Sequence, residues 1–257
     1  MKACVIACFF GENIENVYPA MKSCDAYFFT NNPNIKSTIK ANGWNYIFID
    51  FPLSKDEAVS SFQSKYIKFL QFLEHEEYAF FKNYDVIVYV DHKLKLTDFH
   101  IKYALSKLGR YKILVRDHPE NRQNIWEEVG TAMFQERYLR YMPETIDWIR
   151  EKIKEGYSDK STVATTGLIF YKHLNNDAIN FVNNVYNDLK KIGTSECQIV
   201  WSMLAQKHSN IIKIISWNEL DIKWEDPKKE DRYFTPKAVL KLFIPFGLLE
   251  LWKIIKR

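Results

Sequence analysis

Short apolar runs punctuate this chain, and each stops on polar or turn-forming residues. "ACVIACFF" stops at Gly11, "AYFFT" at Asn31-Asn32-Pro33, "NYIFIDF" at Pro52 and "VIVYV" at Asp91. "KILVR" stops at Asp117-His118-Pro119, "TGLIFY" follows Thr165-Thr166, and "IIKIIS" stops at Trp217-Asn218. Continuous apolar runs of this length are the pattern of strands buried on both faces. Between them the period changes to that of a helix. "SSFQSKYIKFLQFLEHEEY" spaces Phe62, Tyr66, Phe69, Leu70 and Leu73 along one helical face. "QERYLRYMPETIDWIREKIKEGY" does so with Met142, Ile146, Ile149 and Ile153. "NDAINFVNNVYNDLKKIG" stops at Gly193, a natural C-terminal cap, and "SECQIVWSMLAQKHS" opens on Ser195, the expected N-cap. Strands alternating with helices predict an α/β layered fold with a mainly parallel sheet. The polar stretch "DIKWEDPKKEDRYFTPK" predicts a boundary near residue 220, dividing a domain at 1–220 from a segment at 221–257.

Composition narrows the class. With 257 residues, 47% hydrophobic, and only 8 Gly and 8 Pro, the chain can bury a full core. The 16% aromatic share fits a packed core with some stacking surface. A net charge of +4 with no long Lys/Arg block argues against a nucleic-acid partner. Cys4, Cys8, Cys24 and Cys197 show neither a CxxC pair nor zinc spacing, so reduced thiols in a cytoplasmic protein are expected. The opening "MKACVIACFFGEN" reads as a first strand; it is too short for a membrane span and lacks a secretory cleavage pattern.

In open α/β sheets ligands bind beyond the carboxyl ends of the strands. Four runs end there on chemistry: Thr30-Asn31-Asn32, Asp50, Asp91-His92-Lys93 and Asp117-His118. Together they predict a polar cleft. A carboxylate such as Asp91 at a strand end can hold a hard divalent cation that bridges two phosphates, or simply cap a turn. Lys65 and Lys68, one helical turn apart, can reach a phosphate or form a solvated face. "DHPENRQNIWEE" gathers His118, Arg122, Glu127 and Glu128, a mixture of donors and acceptors suited to sugar hydroxyls or to a charged surface loop. "STVATTGLIFY" places Thr166 and Gly167 before a strand, where Gly permits a tight turn or close approach of the backbone to a ligand. Glu196 and Gln198 fall in a helix's first turn, as capping groups or as site residues.

The order of "QSKYIKFL", "YDVIVYVDHKLKL", "HPENRQNIWEEVGTA", "TTGLIFYKH" and "CQIVWSML" resembles nucleotide-sugar glycosyltransferases of the GT-A fold. More narrowly, it resembles glycosyltransferase-like proteins of bacteria and plants long classed as a domain of unknown function. The resemblance implies a GT-A-like fold and transfer of a sugar, with a UDP-sugar favoured as donor, to a glycan or lipid-linked acceptor in cell-surface polysaccharide or lipopolysaccharide synthesis. It implies that Asp91 binds the donor diphosphate and a divalent metal, Mn2+ or Mg2+. Asp91-His92-Lys93 departs from the Asp-x-Asp form of many such enzymes, because Lys93 stands at the second acid; Lys93 can replace part of the cation's charge. Glu196-Cys197-Gln198 resembles an Arg-Asp-Gln motif, with Gln198 matching and the acid displaced by one position. On this reading the donor is met by Thr30, Asn31, Asp50, Lys65, Asp91, His92, Lys93, Thr166, Gly167 and Gln198. The acceptor is met by His118 and Arg122, and the catalytic carboxylate is Glu128, Glu127 or Glu196.

Two other readings stand beside it. A nucleotidyltransferase would share the sheet and the acid, but usually carries a Gly-rich loop where this chain has "FFGENIEN". A non-catalytic carbohydrate- or nucleotide-sugar-binding homologue would fit Lys93. The C-terminal "TPKAVLKLFIPFGLLELWKIIKR" is basic, aromatic and amphipathic, and is interrupted by Pro245 and Gly247. It is too short and broken to span a bilayer. It is expected as two helical pieces, lying on the cytoplasmic face of a membrane to meet a lipid-linked acceptor, or packed on the core or an oligomer interface.

Overall fold

In the computed structural model, which describes residues 1–12, 17–220 and 222, all the apolar runs are strands. These are β1 (Ala3–Cys8), β2 (Asp25–Thr30), β3 (Asn45–Phe48), β4 (Val86–Val90), β5 (Ile113–Asp117), β6 (Ala164–Tyr171) and β7 (Ile212–Ile215). They form one sheet in the order β3-β2-β1-β4-β6-β5-β7. Every pairing is parallel except those of β6, which runs antiparallel to both β4 and β5. The carboxyl ends of the other six strands therefore share one edge with the amino end of β6. The expected mainly parallel α/β architecture is the observed one.

Alternate residues of each strand feed opposite layers, as the period of two requires. Cys4, Ile6, Ile87, Tyr89, Ile113, Val115, Ile169 and Tyr171 face one layer. Over them pack α2 (Glu57–Lys68), α4 (Ile125–Ala132), α5 (Glu136–Leu139), α6 (Met142–Lys154), α7 (Asn176–Ile192) and α8 (Cys197–Ala205). Val5, Ala7, Phe28, Val86, Val88, Leu114 and Phe170 face the other layer, covered by α1 (Lys36–Ala41) and α3 (Asp98–Leu108). A fully buried side chain of this size contributes about 1.5–3 kcal/mol, so the central strands anchor the fold.

Three local expectations are corrected. The amphipathic pattern through Leu73 is not one helix: α2 ends at Lys68, Leu70 takes a left-handed conformation (φ 59°), and a 3-10 turn covers Gln71–Glu74. Apolar spacing fixes which face is buried, not whether the backbone stays helical. Thr166 and Gly167 lie inside β6 rather than before it. The N-cap of α8 is Glu196, whose carboxylate accepts from the Gln198 N–H at 2.8 Å, and not Ser195. The Gly193 cap of α7 is as expected, at φ 83°.

Cys4, Cys8 and Cys197 are buried free thiols, and Cys24 is a half-buried one. Among the described residues no helix is long and apolar enough to cross a membrane. The tail at 223–257 lies outside the described residues.

Candidate functional site

β1 stands between β2 and β4: the chain runs from β1 outward to β2 and β3 on one side, then crosses back from β3 to β4 on the other. Such a switch point opens a crevice above the strand ends. Asp91 leaves β4 there, its N–H donating to the Gly167 carbonyl at 2.7 Å. Beside it the β5–β6 register shifts, two steps along β5 (Leu114 to Arg116) matching five along β6 (Phe170 to Thr165). Bulges of this kind re-aim side chains next to sites.

The Asp91 carboxylate is held through Oδ1. Oδ1 accepts from the Tyr89 hydroxyl at 2.6 Å and lies 3.2 Å from the Lys68 ammonium. Oδ2 lies against Gly167, 3.1 Å from where a Cβ would stand, which is why the residue facing it has no side chain. Lys68 comes from the last turn of α2. That helix starts on an Asp56 cap, and the Lys68 carbonyl accepts from the Tyr171 hydroxyl at 2.9 Å, docking the turn on β6. The Lys68 ammonium also lies 4.9 Å from the Tyr89 ring centre and 3.9 Å from Cys197 Sγ. Burial pushes the Asp91 carboxyl up, but Lys68 and Lys65 outweigh it and hold it below the usual range. Burial likewise disfavours charge on Lys68, and Asp91 outweighs it. Lys68 is buried and the Asp91 side chain 27% exposed, so removing Asp91 would leave a buried ammonium unpaired.

Lys65, one turn earlier, is 5% exposed. It makes no ion pair or hydrogen bond to the described residues, yet its nitrogen is not sealed from solvent. Burial lowers its pKa. Arg137 of α5 stands in the electrostatic field of Glu196 and Asp91. One of its nitrogens donates to Gln135 at 2.9 Å, while its Nε is buried without a partner among the described residues. Arg137 also lines a cavity of about 520 Å³ between the start of α2 and α5, with Lys55, Asp56, Phe134 and Arg140.

The acids form a second, adjoining group. Glu128, on a helix capped by Asn124, accepts from Arg122 Nη1 and, at 2.7 Å, from Gln198 Nε2. His118 Nε2 lies 3.9 Å away. Burial first, and the neighbouring Glu196 second, push Glu128 up to about 7 against the pull of Arg122. Glu196 is raised by its own burial. Cys197 links the two groups, with Thr166 Oγ1 at 3.1 Å and the Lys68 ammonium on its other side.

The structure therefore gathers Lys65, Asp91, Thr166, Gly167, Glu196, Gln198, Glu128, Arg122 and His118. His92, packed edge-on against Phe9 with ring centres 5.2 Å apart, and Lys93 sit half-buried at the mouth. Thr30 and Asn31 are buried at the end of β2 and bonded to their surroundings. Thr30 Oγ1 accepts from the Asn32 N–H, and Asn31 accepts from Gly11 N–H and donates to the Pro52 carbonyl. Asp50 is exposed beyond β3, two strands from β1, and Glu127 is exposed on α4. Sequence reasoning missed Arg137 and Tyr89. An arginine in a four-residue helix and a tyrosine inside an apolar run carry no polar strand-end signal.

A divalent cation does not fit the side chains at Asp91. One carboxylate oxygen is taken by an ammonium and a hydroxyl, and the position of a second acid is held by Lys93. Among the described residues no three His, Cys, Asp or Glu side chains gather as ligands. Two like unit charges 4 Å apart repel by about 4 kcal/mol at an effective dielectric of 20, so a metal next to Lys68 would be disfavoured. A larger groove of about 630 Å³ lies along β3, lined by Tyr27, Tyr46, Phe48, Asp25 and Glu77, with no cationic side chain to receive phosphate.

No protein-family model matches the chain, and no curated protein sequence does; the narrower family resemblance thus remains an expectation of motif order. Among solved structures, the chain is similar to mouse xyloside xylosyltransferase 1 in its apo form, at 10% identity and TM-score 0.41, over 84% of this chain and 85% of that one. It is also similar to a glycosyltransferase involved in glycosylation of the major capsid of PBCV-1, at 10% identity and TM-score 0.42, over 84% of this chain and 82% of that one.

Proposed function

We propose that the chain is a glycosyltransferase that takes a sugar from a nucleotide-sugar, a UDP-sugar by preference, and adds it to a glycan or lipid-linked acceptor in cell-surface polysaccharide or lipopolysaccharide synthesis. The observation that carries this reading is the placement, at one sheet edge, of the buried Lys65 and Lys68 with the buried Glu128, whose carboxyl burial and Glu196 push up. Departure of a nucleoside diphosphate builds negative charge, and preorganised ammonium groups in a water-poor site stabilise it as it forms. In an inverting transfer the acceptor oxygen bonds to the anomeric carbon, the bond from that carbon to the diphosphate oxygen breaks, and Glu128 takes the acceptor's proton. A base titrating near 7 is matched to that task. His118 and Arg122, flanking Glu128, orient acceptor hydroxyls, and Gln198 and Glu196 fix the carboxyl's position. The basic C-terminal sequence supports a peripheral seat on the cytoplasmic face of a membrane, where a lipid-linked acceptor would be met.

The test is a panel of labelled UDP-, GDP- and CMP-sugars, scored for sugar transfer or donor hydrolysis and by thermal shift. One donor is expected to turn over and to raise the melting temperature. A ligand at 100 times its Kd adds about 2.7 kcal/mol of stability. Stabilisation by a donor without turnover would instead favour a non-catalytic binding homologue.

A further inference from the structure

We infer that Lys65, Lys68 and Arg137 together form a built-in cation that receives the donor's diphosphate, so that binding needs no divalent metal. This rests on the donor site proposed above and names the groups that act there. Three observations carry it. Lys68 already places a cation at Asp91 Oδ1, at 3.2 Å, where Tyr89 also donates. Lys65 is a buried ammonium with no counter-charge within ion-pair distance among the described residues, and its nitrogen stays in reach of solvent. An unpaired buried ammonium is unfavourable without a ligand and becomes favourable once an anion arrives. Arg137 adds a guanidinium in the electrostatic field of Asp91 and Lys65, with a buried Nε that has no partner among the described residues. The fork of a guanidinium matches phosphate geometry, whereas lysine acts as a point charge. On this account Asp91 is a positioning residue: it holds Lys68 in place.

The probe is inorganic pyrophosphate, titrated calorimetrically into the full chain in EDTA and again in Mn2+. The Kd is expected to agree within about threefold between the two. Lys65→Met, which removes the charge and keeps the buried stem, is expected to weaken binding at least about tenfold in EDTA, with circular dichroism unchanged. Asp91→Asn loosens the Lys68 ammonium and is expected to weaken pyrophosphate binding by the same factor in EDTA and in Mn2+; a metal-ligand role predicts a loss confined to Mn2+. If Lys65→Met does not fold, Arg137→Met takes its place in the same assay. Binding only in Mn2+, binding indifferent to the lysine and arginine changes, or no binding in either buffer would overturn the inference. The outcome separates from that of the donor panel. Pyrophosphate binding in EDTA without transfer from any nucleotide-sugar sinks the glycosyltransferase reading alone. Transfer that stops in EDTA sinks the built-in cation alone.

Discussion

The two groups at the sheet edge are built to opposite ends. Around Asp91 the charges are cationic in excess and incompletely matched: Lys68 has its carboxylate, while Lys65 and the Arg137 Nε have no partner among the described residues. Around Glu128 the hydrogen bonds are satisfied, with Arg122 and Gln198 each on one oxygen, but the carboxyl is held up to about 7 by burial and by Glu196. An under-matched buried cation favours the arrival of an anion. A matched but crowded carboxyl favours the exchange of a proton. On the proposed reading a transfer from an activated sugar uses both, and the neighbours Glu196, in the field of Glu128, and Cys197, 3.9 Å from the Lys68 ammonium, stand between them.

The comparison breaks most sharply at Asp91. Asp91→Ala leaves the Lys68 ammonium unpaired and free to move, and turnover is expected to fall by about 10³-fold or more. Release of nucleoside diphosphate is the readout, with circular dichroism to confirm the fold. Near-normal turnover would remove Asp91 from the site. Glu128→Gln comes next, with kcat expected to fall by about 10²–10⁴-fold. The wild-type rate should rise with pH through about 7, where Glu128 ionises, and the variant should lose that limb.

Stability gives the same residue an independent test. A folded-state pKa raised above that of the unfolded chain means the folded form holds its proton more tightly. The contribution of Glu128 to stability is therefore expected to fall as pH rises from about 4.5 through about 7. Relative to wild type, Glu128→Gln should gain melting temperature at pH 8 compared with pH 4. A difference independent of pH would mean that Glu128 titrates normally.

Gly167→Ala should act more gently on the cationic side. The new Cβ would meet Asp91 Oδ2 at 3.1 Å and Leu94 Cδ1 at 3.3 Å, tight enough that one of them must shift. Overpacking of this kind costs about 1–3 kcal/mol. The displaced carboxylate would carry Lys68 with it, so activity is expected to fall about tenfold. Full activity with lowered stability would show that the close approach serves packing alone.

The sheet was legible because a strand buried on both faces has nowhere to put a polar residue, so each appears as an unbroken apolar run. The polar end of "VIVYV" and the first turn of α8 were legible for the complementary reason: acids and amides there interrupt an otherwise apolar context. What could not be read depends on placement in three dimensions. Tyr89 looks like core until its hydroxyl is found on Asp91. Arg137 becomes part of the site only because α5 packs beside α2. Thr30 and Asn31 end a strand as site residues do, but hydrogen bonds to the neighbouring loops engage their polar atoms. The break after Lys68 leaves no mark in apolar spacing, although it fixes where the Lys68 carbonyl meets Tyr171.

Glu127 gives the finest division between the two kinds of acid. It adjoins Glu128 in sequence and in the same first turn of α4, so composition and spacing treat the two alike. One residue along a helix is a rotation of about 100°. That rotation carries Glu128 into the network with Arg122 and Gln198 and leaves Glu127 exposed, where its charge meets solvent. Both acids favour the positive end of the helix dipole, an effect worth about 0.3–1 kcal/mol at an exposed site. Glu127→Gln should therefore lower stability by less than about 1 kcal/mol, through the dipole alone, and change turnover by less than about twofold. Its pH–rate profile should keep the limb near 7 that Glu128→Gln loses. Chemical denaturation and the same profile measured on both variants check this together. A Glu127→Gln enzyme that lost the limb while Glu128→Gln kept it would reverse the assignment of the base.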